Sequence, residues 1–373
     1  MSGIIAAQNI IIILFIFLFG LFIPRLTRKE IILGVRIPQA FRDHDEVRRI
    51  KKSYTRNYML IIGLPSIVII VLQLMKIPPI IHVLSILVLC ALFFVNYYFC
   101  HKSLREIKIA NKWKEGYQET SVMDIGYKPG EALVSPWWFS IPLALILIQV
   151  ILVLYKYDSL PDTLPLHYDA SGNIDRWGNK SYRLMFMMPA MEILLTGVMF
   201  FIYKIIGWSK QQLSVEAPED SKTRNRIFRR RWSAFMIILS VLLIIPTFSI
   251  HLFTLQILKI HFGILLFGII ILEPMLILLV AGWIAYTTGQ SGSRIKLKEK
   301  PEQDKNKIDR DDDKYWKAGI IYYNPDDPAI FVEKRFGVGW TFNFGNKIAL
   351  FLAFALIILI PVALFFISFM RRS

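Results

Sequence analysis

Eight runs of apolar residues, at about 4–24, 58–76, 79–100, 136–156, 184–207, 233–257, 262–287 and 348–370, set the terms on which this chain can fold. Each approaches or exceeds the roughly 20 residues that a helix needs to cross about 30 Å of hydrocarbon, where every backbone amide and carbonyl has to find its partner inside the segment. With 55% of the 373 residues hydrophobic and only 19% charged, the soluble, disordered and collagenous classes drop out. The expected fold class is an all-α polytopic membrane protein of about eight transmembrane helices, with the lipid bilayer as its first partner. The prolines of Lys76-Ile77-Pro78-Pro79 end one run and open the next, so those two spans should form a tight hairpin. Cys90 and Cys100 lie in one run, about 15 Å apart along a helix, which leaves neither a disulfide nor a Cys-based zinc site.

The charge is +16, from 44 Lys and Arg against 28 Asp and Glu. In a soluble chain that excess would point to nucleic acid, but 36 of the 44 cations fall in the segments 25–57, 101–134, 204–232 and 289–347, the alternate loops. This is the positive-inside pattern, so no direct contact with nucleic acid is expected and both termini are placed outside. The first run has no basic residues before it and is followed by Arg25, Arg28 and Lys29, the order of an uncleaved anchor rather than a secretory signal.

The expected organisation is a three-span region (1–134), a two-span unit with an external loop (135–207), a second two-span unit after a basic loop (208–288), a cytoplasmic insertion (289–346) and a last span with its tail (347–373). Residues 39–57 and 101–119 read as basic surface helices, and Arg229-Arg230-Arg231 reads as an anchor or as a docking site for protein or anionic lipid. The polar stretch 289–314 reads as a linker. Beyond it, 317–323, 329–334 and 340–344 are β-prone runs separated by turn sequences, expected to form a small three-stranded meander. Trp316, Tyr323, Asn324, Arg335 and Trp340 there are candidates for a cytoplasmic partner surface or for packing against the membrane and the body of the protein. Asp309, Asp311 and Asp313 have the first offsets of an EF-hand loop, but Lys314 and Ile320 occupy its glycine and last carboxylate positions, so calcium is not expected.

The external loop 157–183 is the most distinctive segment. Pro161 and Pro165 hold its first part extended and Ser171-Gly172-Asn173 supplies a turn, which predicts a short hairpin presenting His167, Asp169, Asp175, Trp177 and Lys180. Three uses stay open for it: an ordered structural turn, a surface for an extracellular peptide, or a metal site using His167 and the carboxylates.

Ionisable groups inside spans cost roughly 2.5–3.5 kcal/mol each on insertion scales, so each needs a reason to be there. Counting 1.5 Å per residue from the outer ends places Gln149, Glu192, His251 and Glu273 at a common depth of about 9–17 Å. Pro189, Pro246 and Pro274 share the spans of the three ionisable residues. The expectation is an outward-open polar pocket beneath the loop, serving peptide capture, proton-coupled movement or a metal held by Glu192, His251 and Glu273, with a purely structural hydrogen-bond network as the alternative. No phosphate loop, zinc-protease helix, serine-nucleophile elbow or paired intramembrane aspartates is present, so a non-enzymatic role without a cofactor leads. No internal repeat supports an inverted-repeat transporter.

Residues 160–180 carry the pattern Pro161-x-x-x-Pro165-x-His167-x-x-x-x-Gly172-x-x-Asp175-x-Trp177-x-x-Lys180, which resembles the bacterial family that includes the SdpI-type immunity proteins. A second stretch, Gly289-Gln290-x-Gly292-Ser293-Arg294 with Tyr315-Trp316-Lys317-x-Gly319, Tyr323-Asn324-Pro325-x-Asp327-Pro328 and Lys334-Arg335-x-Gly337-x-Gly339-Trp340-Thr341-x-Asn343, resembles a C-terminal domain of unknown function in longer relatives of that family. The resemblance implies a multi-pass protein of a Gram-positive plasma membrane. It further implies immunity to a secreted toxic peptide or sensing of envelope stress, with a signal passed to a cytoplasmic regulator such as a transcriptional repressor. A proton-coupled transporter or exporter is the rival reading, and a membrane-embedded metal-dependent hydrolase the third.

Overall fold

The computed structural model describes residues 2–73, 75, 79–115, 117–122, 124–168, 174–258, 262–297 and 307–358. Among them, seven helices are long and apolar enough to cross a membrane. They are α1 (Ser2–Leu26), α2 (Asp45–Leu72), α3 (Pro79–Ala110), α4 (Ser140–Lys156), α5 (Tyr182–Trp208), α6 (Pro218–Thr254) and α7 (262–288). The eighth run is helical over Lys347–Ile358, here α8, where the described residues end. The protein is therefore a mostly helical multi-pass membrane protein. The tight turn read at 76–78 lies outside the described residues.

Proline chemistry shapes two of these helices. Pro65 and Pro274 have no amide to give to the preceding turn, and in both helices that turn widens to a π-turn, Met59–Gly63 in α2 and Gly268–Leu272 in α7. The basic surface helices expected at 39–57 and 101–119 are instead continuations of spans: α2 starts at Asp45 and α3 runs on to Ala110. Nothing between Asp45 and Tyr58 breaks the hydrogen-bond ladder, and Val47, Ile50, Tyr54 and Tyr58 give that stretch a buried stripe. α6 has 37 residues, about 55 Å, so close to half of it stands beyond a hydrocarbon layer of about 30 Å.

Two side-chain clusters hold the helices together. In the first, Ile13 and Ile23 of α1, Tyr54 and Tyr58 of α2, and Leu89, Tyr97 and Leu104 of α3 pack together. Tyr54 and Tyr58 donate to the carbonyls of Gly20 and Ile16 at 2.8 and 2.9 Å, and a Cβ at residue 20 would overlap the Tyr58 ring, so glycine lets α1 approach α2. In the second, Phe139, Tyr203, Ile206, Phe235, Met236 and Ile284 join α4 to α7. Trp137, Trp138, Trp208 and Trp283 are exposed at the end that carries the basic residues, an aromatic belt at one interface.

The β structure is small and local. β1 (Ile31–Ile32) pairs antiparallel with β2 (Val35–Arg36) just after α1, and β3 (Gln118–Thr120) pairs parallel with β6 (Lys307–Asp309). β4 (Thr163–Tyr168) and β5 (Ile174–Asn179) form the expected hairpin at the opposite end of the bundle. The three-stranded meander expected over 315–346 is instead two separate hairpins, β7 (Trp316–Lys317) with β8 (Ile321–Tyr322) and β9 (Phe331–Glu333) with β10 (Trp340–Phe342), joined by a bridge between Tyr322 and Asn343. Ala318 and Gly319 adopt positive φ values of 49° and 69° and reverse the chain within the run read as one strand.

Candidate functional site

The β4–β5 hairpin is seated on the helices rather than hung from them. Leu160 and Leu164 are buried against Val153 of α4, Met185 of α5 and Leu255, which caps α6. Lys180 ties the base: its ammonium donates to the Leu160 carbonyl at 2.9 Å and the Tyr157 carbonyl at 3.3 Å and lies 5.2 Å from the Tyr157 ring centre. Tyr157 stacks on Tyr182 at 3.8 Å, and Ser181 caps α5 by accepting from the Leu184 amide at 3.2 Å. Trp177 is exposed on β5. His167 and Asp175 sit on paired strands, and Asp169 lies outside the described residues.

Directly beneath this apolar seat, α4, α5 and α6 bring Gln149, Glu192 and His251 together. Gln149 and Glu192 are fully buried and His251 is 3% exposed. With the amide oriented so that donors meet acceptors, Gln149 Oε1 accepts from His251 Nδ1 at 2.5 Å and Gln149 Nε2 donates to the Glu192 carboxylate at 2.5 and 3.2 Å. Thr247, next to Pro246 inside α6, lies 2.6 Å from Glu192 Oε1 with its hydroxyl as donor. His251 Nε2 is buried with no partner among the described residues. The expected outward-open pocket is therefore closed, because the residues one turn above Gln149 and His251 belong to the cluster under the hairpin. Glu273, in the segment Glu273–Thr288 of α7, makes no hydrogen bond to the trio among the described residues. No group of three His, Cys, Asp or Glu side chains among the described residues could hold a metal, so the metal site of Glu192, His251 and Glu273 does not form.

The other end of α6 carries a second buried polar centre. Arg229 and Glu333 are both fully buried and pair at 3.1 Å. Arg229 also donates to Asn225 Oδ1 at 2.6 Å, Ser209 Oγ at 2.9 Å, the Tyr127 hydroxyl at 3.2 Å and the Ile206 carbonyl. Glu333 accepts further from Asn225 Nδ2 at 2.6 Å and from Ser291. Gln290, read as linker, is buried and exchanges two hydrogen bonds with the Gly339 backbone at 2.7 and 3.0 Å. By sequence, Arg229 reads with its two neighbours as an anchor or docking site, and Asn225, Gln290, Ser291 and Glu333 have no assigned role in a buried centre. A carboxylate inside the apolar strand Phe331-Val332-Glu333 was the signal available for finding them.

Residues 307–314, also read as linker, form a buried ion network. Arg36 lies 3.3 Å from Asp309 and 3.2 Å from Asp312, and Lys108 2.8 and 2.6 Å from Asp311 and Asp313. Arg335 pairs with Asp312 and Asp313 and lies over the Trp316 ring. The acidic run thus pairs with Arg36, Lys108 and Arg335. Of the candidate partner surface, Trp316 and Arg335 are 1% exposed and Asn324 is buried, so these three fasten the insertion internally. Trp340 is half-buried against Phe228, and Tyr323 alone of the five stands exposed.

Burial pushes the Asp312 carboxyl up, but Arg335 and Arg36 outweigh it and hold the group well below the usual range; Arg335 and Lys108 do the same for Asp313. Carboxyls with folded pKa values below the unfolded value of about 3.9 contribute stability that is present above that value and is lost as pH falls through the folded values. Asp309, which burial raises despite Arg36, works in the opposite sense. Hydrogen exchange of 307–346 is expected to stay slow from pH 7 to about 5 and to accelerate below about pH 4, with D312N removing part of the change. A flat profile across this window would show that the network contributes no stability.

Fold and hairpin together define a multi-pass helical membrane protein with a compact insertion locked to its basic end. Residues 144–193, which include the hairpin, Gln149 and Glu192, match the profile of a domain of unknown function, DUF1648. Residues 325–350, which include Glu333, Arg335 and Asn343, match that of a family of unknown function, DUF5808. No curated protein and no solved structure matches the chain.

Proposed function

We propose that the protein is a receptor-type membrane protein that engages an extracellular peptide or envelope component at the 157–183 hairpin and transmits occupancy to a cytoplasmic partner. In this reading the basic end is cytoplasmic and both termini are external. One observation carries it: α6 is a single 37-residue helix with His251 and Thr247 beneath the hairpin and Asn225 and Arg229 in the centre that holds the insertion. A ligand that pulls on the seat of Leu160 and Leu164 changes the alignment of Gln149 with His251 and Glu192. A displaced α6 then changes the pairing of Arg229 with Glu333. Such coupling requires only that the ligand bind the two arrangements with different affinity. The likeness of 160–180 to SdpI-type immunity proteins supports a secreted toxic peptide as the ligand class, with a repressor held at the membrane as one form of output.

The rival reading, proton-coupled transport, draws on buried His251, which Gln149 links to Glu192 and whose Nε2 has no partner among the described residues. Proteoliposomes exposed to the labelled secreted peptide fraction of a Gram-positive culture separate the two. Binding that W177A weakens is expected, together with altered hydrogen exchange at 307–346 that E192Q and Q149L abolish. Accumulation driven by an ion gradient would replace the receptor with the transporter, and exchange indifferent to bound peptide would end the coupling.

A further inference from the structure

α4 and α5 leave an apolar furrow of about 540 Å³ between them, near the aromatic belt, lined by Trp137, Leu143, Ile193, Gly197 and Phe200 among others. Gly197 leaves a notch there: apart from the backbone of its own helix and its chain neighbours, no described atom lies within 4 Å of the place a Cβ at residue 197 would occupy. Leu143 and Ile193 are 51% and 55% exposed inside two spans, so the furrow opens onto the acyl region of the bilayer. One turn of α5 beyond Phe200, towards the basic end, stands Lys204. Its ammonium lies 5.3 Å from the Phe200 ring centre and 6.0 Å from that of Tyr203, and no carboxylate among the described residues pairs with it.

We infer that this furrow is a binding site for an anionic phospholipid, with one acyl chain along Gly197 and the phosphate on Lys204. An apolar trough of this length selects no headgroup by itself, since every lipid offers the same chain. The unpaired ammonium at its mouth does, because a net negative headgroup satisfies it without bringing a second cation near, and Trp137 stands at the depth where headgroups lie. A single cation at the membrane surface corresponds to a preference of about fivefold for an anionic over a zwitterionic lipid.

Full-length protein in detergent, titrated with phosphatidylglycerol or with phosphatidylcholine of the same chains and read by native mass spectrometry, tests the assignment. Phosphatidylglycerol should bind about fivefold more tightly, K204Q should erase that preference, and G197L, which fills the notch on a lipid-facing surface, should weaken both lipids. K52Q, at an exposed lysine of α2, should leave the preference intact. Equal affinity for the two lipids, an equal loss in K52Q, or full competition by chain-free glycerophosphoglycerol would overturn the site.

Discussion

Replacing Glu333 with alanine is expected to cost about 3–5 kcal/mol, the range for removing one partner of a buried ion pair. The cost arises because Arg229 stays behind, fully buried, together with the Asn225 amide and the Ser291 hydroxyl that lose their acceptor. Nothing can take its place from solvent. The effect should appear as release of the insertion rather than loss of the spans, whose helices keep their own backbone bonds. Limited proteolysis of 307–346 and equilibrium denaturation in detergent read the two separately. The double variant R229M/E333L removes both charges and should recover the part of the loss due to the stranded Arg229 charge, but not the part due to the Asn225 amide and Ser291 hydroxyl. If E333A lay within about 0.5 kcal/mol of the parent, as ordinary surface changes do, the centre would not be what holds the insertion.

The second large effect is expected at Gly292. Its φ is +80°, and a Cβ there would stand 2.4 Å from the backbone carbonyl oxygen of Arg224 in α6. G292A therefore meets a strained backbone, costing of order 1–3 kcal/mol, and a backbone atom that cannot rotate away. The turn has to leave α6, and it carries with it Gln290, bonded to Gly339, and Ser291, bonded to Glu333. Faster hydrogen exchange at both 289–295 and 331–340 is the expected signature. Exchange altered at the turn alone would mean that the turn and insertion move independently.

These two sites show where reading the sequence stopped. The spans were legible because length and apolarity are local properties measured against a fixed bilayer thickness. The β4–β5 hairpin was legible for a related reason: Pro161 and Pro165 act on their own neighbours. The helical extensions Asp45–Tyr58 and the end of α3 were mistaken for separate surface helices, because composition changes at the membrane surface while the hydrogen-bond ladder does not. The acidic run at 309–313 was mistaken for a linker because its partners, Arg36, Lys108 and Arg335, come from three distant segments. A Lys- and Asp-rich stretch looks the same in sequence whether its charges meet water or one another.

Depth in the membrane needs only the sequence, since each residue of a helix advances about 1.5 Å along its axis. That is why Gln149, Glu192, His251 and Glu273 could be assigned to one level. Which of them touch is a matter of azimuth and of which helices are neighbours, and both are set by packing between helices. The packing brings α4, α5 and α6 around Gln149, Glu192 and His251, leaves Glu273 without a hydrogen bond to them among the described residues, and seats Leu160 and Leu164 on Val153 and Leu255, one turn beyond Gln149 and His251. The same contrast holds at the basic end, where the sequence alone identified a surplus of cations and tertiary structure chose Arg229 to be buried opposite Glu333, a residue 104 positions away.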